Sequence, residues 1–263
     1  MKRLLTALVL CGALFAGGAE KLRIVDATGS DGGAITAALL KLAAGRPDIE
    51  VSLQRLDAEI AWEKFEAGDF DVMLVNGSDL PEKHRGRALR YAVGACIACV
   101  SAQNPLRNIS LGDLRMLLDV PRPRWELVGG SVSEIHRCGV AGRDGQLIGA
   151  DMLKLPARAR EMLLLATMKE AMILAGDDPE ALIWGPFTQD MPLSVVALAV
   201  DGIAPTRANI RSGRYPLCVF RFAVGSAAPG KAAREFMALL RSGEFARFVE
   251  EDGELPELPD ARP

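Results

Sequence analysis

Residues 22–27, 49–53 and 71–75 are three short apolar runs, and apolar side chains recur at helical spacing between them: Ala34, Ile35, Ala38, Leu39 and Leu42, then Ile60, Trp62 and Phe65. That βαβαβ order predicts a parallel sheet with helices on its faces, because parallel neighbours need a crossover between them. An apolar extended stretch comes next, at 89–100. The register then changes: Ser110 with Asp113 three residues on has the form of a capping box for a helix ending near Leu118. Pro121, Pro123 and the Gly129-Gly130 pair interrupt regular structure after that helix. A strand is expected at 138–141, helices at 148–155 and 157–175, and strands at 181–184 and 194–200. The tail supplies a strand at 217–224 and amphipathic helices at 232–240 and 244–249, and Pro256 and Pro259 mark a frayed end. The expected architecture is α/β with two lobes, each a mixed sheet flanked by helices. Lobe one is discontinuous (20–101 and 202–263), lobe two is 102–201, and two crossover segments form a hinge rather than a flexible tether.

Lys2 and Arg3 precede an apolar run over 4–15 and then Gly17, Gly18 and Ala19, the layout of a secretory signal peptide over 1–19. Bulky Leu10 before Cys11 argues against a lipid-modified cysteine. Cleavage after Ala19 places the protein in the periplasm or outside the cell. The leader is short for a bilayer, and no later run reaches the ~18 apolar residues a transmembrane helix needs, so no membrane span is expected after cleavage. Removing Lys2 and Arg3 leaves 29 basic against 34 acidic side chains, a net charge of −5. Nucleic-acid binding thereby loses its electrostatic basis. The 244 residues left of 263 suffice for two modest domains with real cores. A monomer that needs no disulfides is expected.

Four cysteines come after the leader: Cys96, Cys99, Cys138 and Cys218. An even count in an oxidising compartment invites a disulfide framework. Cys96 and Cys99, however, lie in an apolar strand, where three residues span ~10 Å and point to opposite faces. A disulfide needs Cα atoms within ~7 Å, and a redox Cys-x-x-Cys pair belongs at a helix start. These cysteines read as small buried hydrophobes.

Four segments carry a family resemblance: Leu22-Arg-Ile-Val-Asp-Ala-Thr-Gly-Ser30, Gly68-Asp-Phe-Asp-Val-Met-Leu-Val-Asn-Gly-Ser-Asp-Leu80, Asn104-Pro-Leu-Arg-Asn-Ile-Ser-Leu-Gly-Asp-Leu114 and Asp201-Gly-Ile-Ala-Pro-Thr-Arg-Ala-Asn-Ile-Arg-Ser-Gly-Arg-Tyr-Pro-Leu217. In this order they resemble the phosphate-binding branch of the type II periplasmic binding proteins, the receptors of ABC importers. The resemblance implies two lobes closing on phosphate or another small oxyanion, delivery to an ABC permease, no cofactor and no enzymatic activity. It directs attention to Thr28, Gly29, Ser30 and Asp31 after the first strand, and to Asn76, Ser78 and Asp79 after the third. Both turns lie at carboxyl ends of strands, the usual ligand edge of an open α/β sheet, and amides at a helix start attract anions. Plainer roles stay open: Thr28 and Ser30 as helix caps, Asp31 as a cap or as acceptor of a monohydrogen-phosphate proton, and residues 76–79 as an ordinary turn.

The departure from the family lies in lobe two. Family members typically carry an Arg followed by Ser-Gly-Thr at a helix start, whereas this chain has Gly142-Arg-Asp-Gly-Gln-Leu-Ile-Gly149. Arg143, Gly145 and Gln146 are the candidates there, with Gln146, Leu147 and Ile148 where hydroxyls belong. A desolvated phosphate needs its oxygens satisfied. The stretch therefore implies another ligand, weak phosphate binding, or a decayed anion site in a domain used for protein interaction or sensing. Arg143 could equally serve an ion pair.

Enzyme signatures fall short. Gly225-Ser-Ala-Ala-Pro-Gly-Lys231 has phosphate-loop spacing, but Ala232 lacks the hydroxyl for Mg²⁺ and Pro229 removes an amide. His84 and His136 have no metal-ligand spacing, and their polar neighbours place both at the surface. The acidic clusters Asp177-Asp178 and Glu250-Glu251-Asp252 read as solvated helix ends. No catalytic residue, metal or cofactor is expected.

Overall fold

The computed structural model describes residues 7–10, 20–29, 32–142, 145–155 and 162–257. In chain order its first elements are β1 (Ala7–Leu10), β2 (Glu20–Asp26), α1 (Gly33–Gly45), β3 (Ile49–Arg55), α2 (Ala58–Glu66), β4 (Val72–Asn76) and β5 (Ala88–Ser101). Next come β6 (Asn108–Ile109), α3 (Leu111–Asp119), β7 (His136–Val140), β8 (Leu163–Leu165), α4 (Met168–Asp177), β9 (Ala181–Pro186), β10 (Val195–Ala197), β11 (Ala199–Val200) and α5 (Arg207–Arg211). The chain closes with β12 (Cys218–Gly225), α6 (Lys231–Leu239), α7 (Gly243–Glu251) and β13 (Leu255–Pro256). Two compact units result, unit one from 1–93 with 219–263 and unit two from 94–218.

Unit one is a mixed sheet in the order β1-β3-β2-β4-β12-β5, with β13 also on β5. Strand β2 runs parallel to β3 (Ile24 opposite Leu53) and to β4 (Ile24 opposite Val72), and β12 is antiparallel to β4 (Phe222 opposite Val75). Both faces are covered, so the central strands are apolar almost throughout. The two-residue period divides them: Leu22, Ile24, Val72 and Leu74 pack with Ile35, Leu39, Phe236 and Phe245 beneath α1, α6 and α7. Val25, Met73 and Val75 face the other way, onto Phe65 and Phe70 under α2. At the start of α6, where the phosphate-loop spacing ends, the Ala232 amide donates to Glu20 Oε1 at 2.7 Å. Within the expected leader, β1 lies antiparallel along β3 (Leu10 opposite Val51), and the rest of the leader falls outside the described residues.

In unit two, β9 lies between the later part of β5, antiparallel (Ala98 opposite Trp184), and β7, parallel (Cys138 opposite Ile183). Strand β8 extends the sheet parallel to β7, β10 pairs antiparallel with β5, and β6 with β11 forms a separate parallel ladder.

Several expectations change here. By compactness the chain divides after Val93 and after Cys218, and β5 is one unbroken strand over Ala88–Ser101. Both margins of unit two are tied in by backbone bonds: Cys96 N donates to Leu217 O at 3.0 Å, and Phe187 N to Ala95 O at 2.8 Å. Of the helix expected at 157–175, residues 157–161 lie outside the described residues, 163–165 is strand β8, and α4 starts at Met168 behind a capping box in which Thr167 accepts from the Glu170 amide. A single 3-10 turn, Ala150–Leu153, replaces the helix at 148–155. The strand at 194–200 is two short ones, and Pro256 is not frayed but buried in β13 against β5. The four cysteines after the expected leader are free, three buried and Cys218 half-buried, and burial pushes the Cys99 thiol up to about 12.

Candidate functional site

Strand β2 ends in Asp26, whose side chain is only 2% exposed. A buried carboxylate must be matched by donors. Thr28 supplies two, its amide at 2.9 Å and its hydroxyl at 2.6 Å, both onto Asp26 Oδ1. Arg55, at the end of β3, brings Nε to 3.7 Å from Asp26 Oδ2. The turn above them passes Gly29 (φ 66°) and Gly32 (φ 64°), where the left-handed backbone favours glycine. A Cβ on Gly32 would sit 2.9 Å from Arg55 Nη2, the movable end of a long side chain, so the backbone conformation is what favours glycine here. Ser30 and Asp31 lie outside the described residues.

Helix α1 then starts with an acceptor from far along the chain: the Ala34 amide donates to Asp252 Oδ2 at 3.1 Å. Asp252 ends α7, which places a carboxylate at the positive end of α1. The expected solvated helix end is thus partly a cap, because α7 packs along α1 and ends beside its first turn.

The turn after β4 is a 3-10 turn, Gly77–Asp79, with Ser78 and Asp79 exposed. Asn76 joins it to the first turn, donating through Nδ2 to the Thr28 carbonyl at 3.1 Å. Arg221 of β12 completes the junction: Nη1 donates to Thr28 O at 3.1 Å and also to Asn76 Oδ1, while Nε donates to Glu254 Oε1 at 3.0 Å. Burial works against the Arg221 charge, but Glu254 foremost among its neighbours more than offsets this, so the guanidinium is held above its ordinary pKa. Of the unit-one candidates, Thr28 and Asn76 are therefore directly bonded, with Gly29 in the same turn as Thr28. Asp26, Arg55, Arg221 and Glu254 are not singled out by the sequence reading, which takes Asp252 as part of a solvated helix end. Only Asp26, two residues before Thr28, carried a local signal, that of an Asx-type turn.

In unit two, Arg143 lies outside the described residues. Gly145 and Gln146 are exposed in a tight hairpin turn, where Gly142 N donates to Gln146 O at 2.8 Å and Ile148 N to Val140 O at 2.9 Å. Among the described residues from 136 to 155, the helical element after β7 is the 3-10 turn Ala150–Leu153. Among the described residues no group of three or more His, Cys, Asp or Glu side chains is arranged to hold a metal ion, and no helix is long and apolar enough to cross a membrane.

No family model matches the chain. It is 22% identical over 237 residues to the phosphate-binding protein PstS of Bacillus subtilis, covering 84% of this chain and 76% of that protein. Among solved structures, a possible phosphate binding protein from Planctomyces limnophilus superposes with a TM-score of 0.76 at 18% identity, covering 92% of this chain and 94% of that one. An ABC-type phosphate transport receptor from Vibrio cholerae gives 0.68 at 17% identity, covering 90% of this chain and all of its own. The fold is the two-lobed one of these binding proteins.

Proposed function

We propose that this chain, which resembles the phosphate-binding branch of the type II periplasmic binding proteins in both sequence and fold, is an exported solute-binding protein that captures phosphate or a similar small oxyanion for an ABC importer. The supporting observation is the junction of the Thr28 and Asn76 turns at the carboxyl ends of β2 and β4, braced by the Arg221 guanidinium. Exposed amides and hydroxyls on such turns suit anion capture. On this reading Gly29, Ser30, Asn76 and Ser78 present donors, and Asp31 or Asp79 accepts the proton of a monohydrogen oxyanion. Arg143, Gly145 and Gln146 are the candidates of unit two. The mature protein starts at Glu20 and works as a monomer, which mass spectrometry and sedimentation of the secreted protein test.

One observation favours a second reading, a decayed anion site kept for protein interaction or sensing. Both donors of Thr28 are directed at Asp26.

Calorimetry with phosphate, sulfate and an organic phosphonate decides between them. Each hydrogen bond lost to a charged group is worth about 1.5 to 3 kcal/mol, so two missing hydroxyls weaken phosphate binding by about two to four decades relative to an intact Ser-Gly-Thr site. Measurable phosphate binding that weakens in Arg143→Ala supports the receptor. Absence of heat with every anion, unchanged by Arg143→Ala, supports the second reading.

A further inference from the structure

Polar neighbours suggest a surface position for both histidines, and His136 has one, exposed with Nδ1 2.7 Å from Asp178. His84 does not; it is 6% exposed. Its ring lies flat on Trp62 of α2, with centroids 4.6 Å apart and planes 4° from parallel, and it meets Phe65 in a T-shaped contact with centroids 6.3 Å apart. Both ring nitrogens are engaged. Arg87 Nη2 lies 2.7 Å from Nδ1, and Glu66 Oε1 lies 3.0 Å from Nε2.

These partners fix the proton. A guanidinium only donates, so Nδ1 accepts; a carboxylate only accepts, so Nε2 carries the hydrogen. His84 is therefore held as one neutral tautomer, its plane set by two bonds and two aromatic rings. Arg87 is anchored in turn through Nη1 to Gly225 O at 3.3 Å, and Lys83 bonds the same Glu66 oxygen at 2.6 Å.

Trp62 carries this order to the second candidate turn. Its only polar atom, Nε1, donates to the Asp79 carbonyl at 2.8 Å. The bond closing that turn from within, Leu80 N to Gly77 O, is long at 3.4 Å. The indole bond is thus the better of the two by geometry.

We infer that Trp62 and His84 are positioning residues for the Ser78–Asp79 turn: the clamped imidazole sets the indole, and the indole holds the turn in the form it presents to a ligand. This rests on the oxyanion-receptor reading only for what the turn contacts.

Amide hydrogen exchange of the ligand-free mature protein at Ser78, Asp79 and Leu80 tests the clamp without a ligand. Trp62→Phe keeps a ring but removes the donor, and should lower protection there by about threefold to tenfold, the value of one ordinary hydrogen bond. His84→Gln, which removes the ring stacked on the indole, should lower protection there as well. Phosphate affinity should drop by a similar factor in Trp62→Phe. Unchanged protection in Trp62→Phe, or in His84→Gln, overturns the inference. If protection responds as expected while the wild type binds no oxyanion, the clamp stands and the receptor reading falls.

Discussion

Asn76 donates through Nδ2 to the carbonyl oxygen of Thr28 at 3.1 Å, and this one bond joins turns 48 residues apart. Arg221 bonds the same two residues while its other edge meets Glu254, so three strand ends share one buried cation. The side chains of Arg221 and Glu254 are only 11% and 19% exposed. Truncating one partner leaves the other charge buried and unpaired, which costs about 3 to 5 kcal/mol. Arg221→Met should therefore lower the unfolding free energy measured in urea by that much, whereas Asn76→Ala should cost about 1 kcal/mol. Equal effects for the two variants would show that the guanidinium is not the keystone of the junction.

Gly33 and Asp252 form a steric pair. A Cβ on Gly33 would run into the Asp252 carboxylate, although the Gly33 backbone itself is one any residue adopts. Gly33→Ala should destabilise by about 1 to 3 kcal/mol through overpacking. Removing the obstacle should rescue it: the Gly33→Ala, Asp252→Ala double variant should be more stable than Gly33→Ala alone, with a coupling of about 0.5 to 3 kcal/mol. Additive effects in a denaturation cycle would mean that the two residues do not meet.

Much of this fold was legible because it tracks local periodicity. Strands β2, β3 and β4 stand out as apolar runs, and the Ser110 cap of α3 was readable from Ser110 and Asp113, whose amide lies 2.9 Å from Ser110 Oγ. The Thr167 and Glu170 box was equally local, but the helical spacing through 157–175 concealed that a new helix starts there. The supports of the site were not legible at all. Asp252 caps a helix 218 residues earlier, and Arg221 reaches Asn76 across 145 residues, so only the folded topology relates them. His84 reads as a surface residue because its burial comes from a stacked indole and a capped turn rather than from any apolar pattern around it.

Acid should weaken unit one at an identifiable place. Arg46 holds Asp48 with two bonds of 2.8 Å, and this pulls the carboxyl from 3.8 down to about 2. A depressed folded-state pKa stabilises above the unfolded value, and that contribution disappears as pH falls through the folded one. The wild type should therefore lose more stability than Asp48→Asn between about pH 4 and about pH 2. Because Asp48 is exposed, the difference should be small and shrink in high salt. Parallel acid titrations of both proteins at fixed denaturant check this; identical curves would dissociate Asp48 from acid stability.

Asp26 sets the strictest test of how the first turn treats anions. Its carboxylate is buried directly beneath Thr28 and takes up both Thr28 donors, so its negative charge opposes any anion drawn to the same turn. Asp26→Asn preserves the size and one acceptor oxygen while removing the charge that faces the Arg55 guanidinium at 3.7 Å. At an effective dielectric near 20, one charge about 6 to 10 Å from the ligand is worth about 1.5 to 3 kcal/mol. Phosphate affinity should accordingly rise by about one to two decades. Stability should fall in the same variant, because one strong charged acceptor for the Thr28 amide and hydroxyl becomes a weaker neutral one. Calorimetry and denaturant unfolding on the same preparation separate the two effects. Weaker phosphate binding by Asp26→Asn would mean that Asp26 supports the ligand turn by holding its shape more than it opposes the anion by its charge.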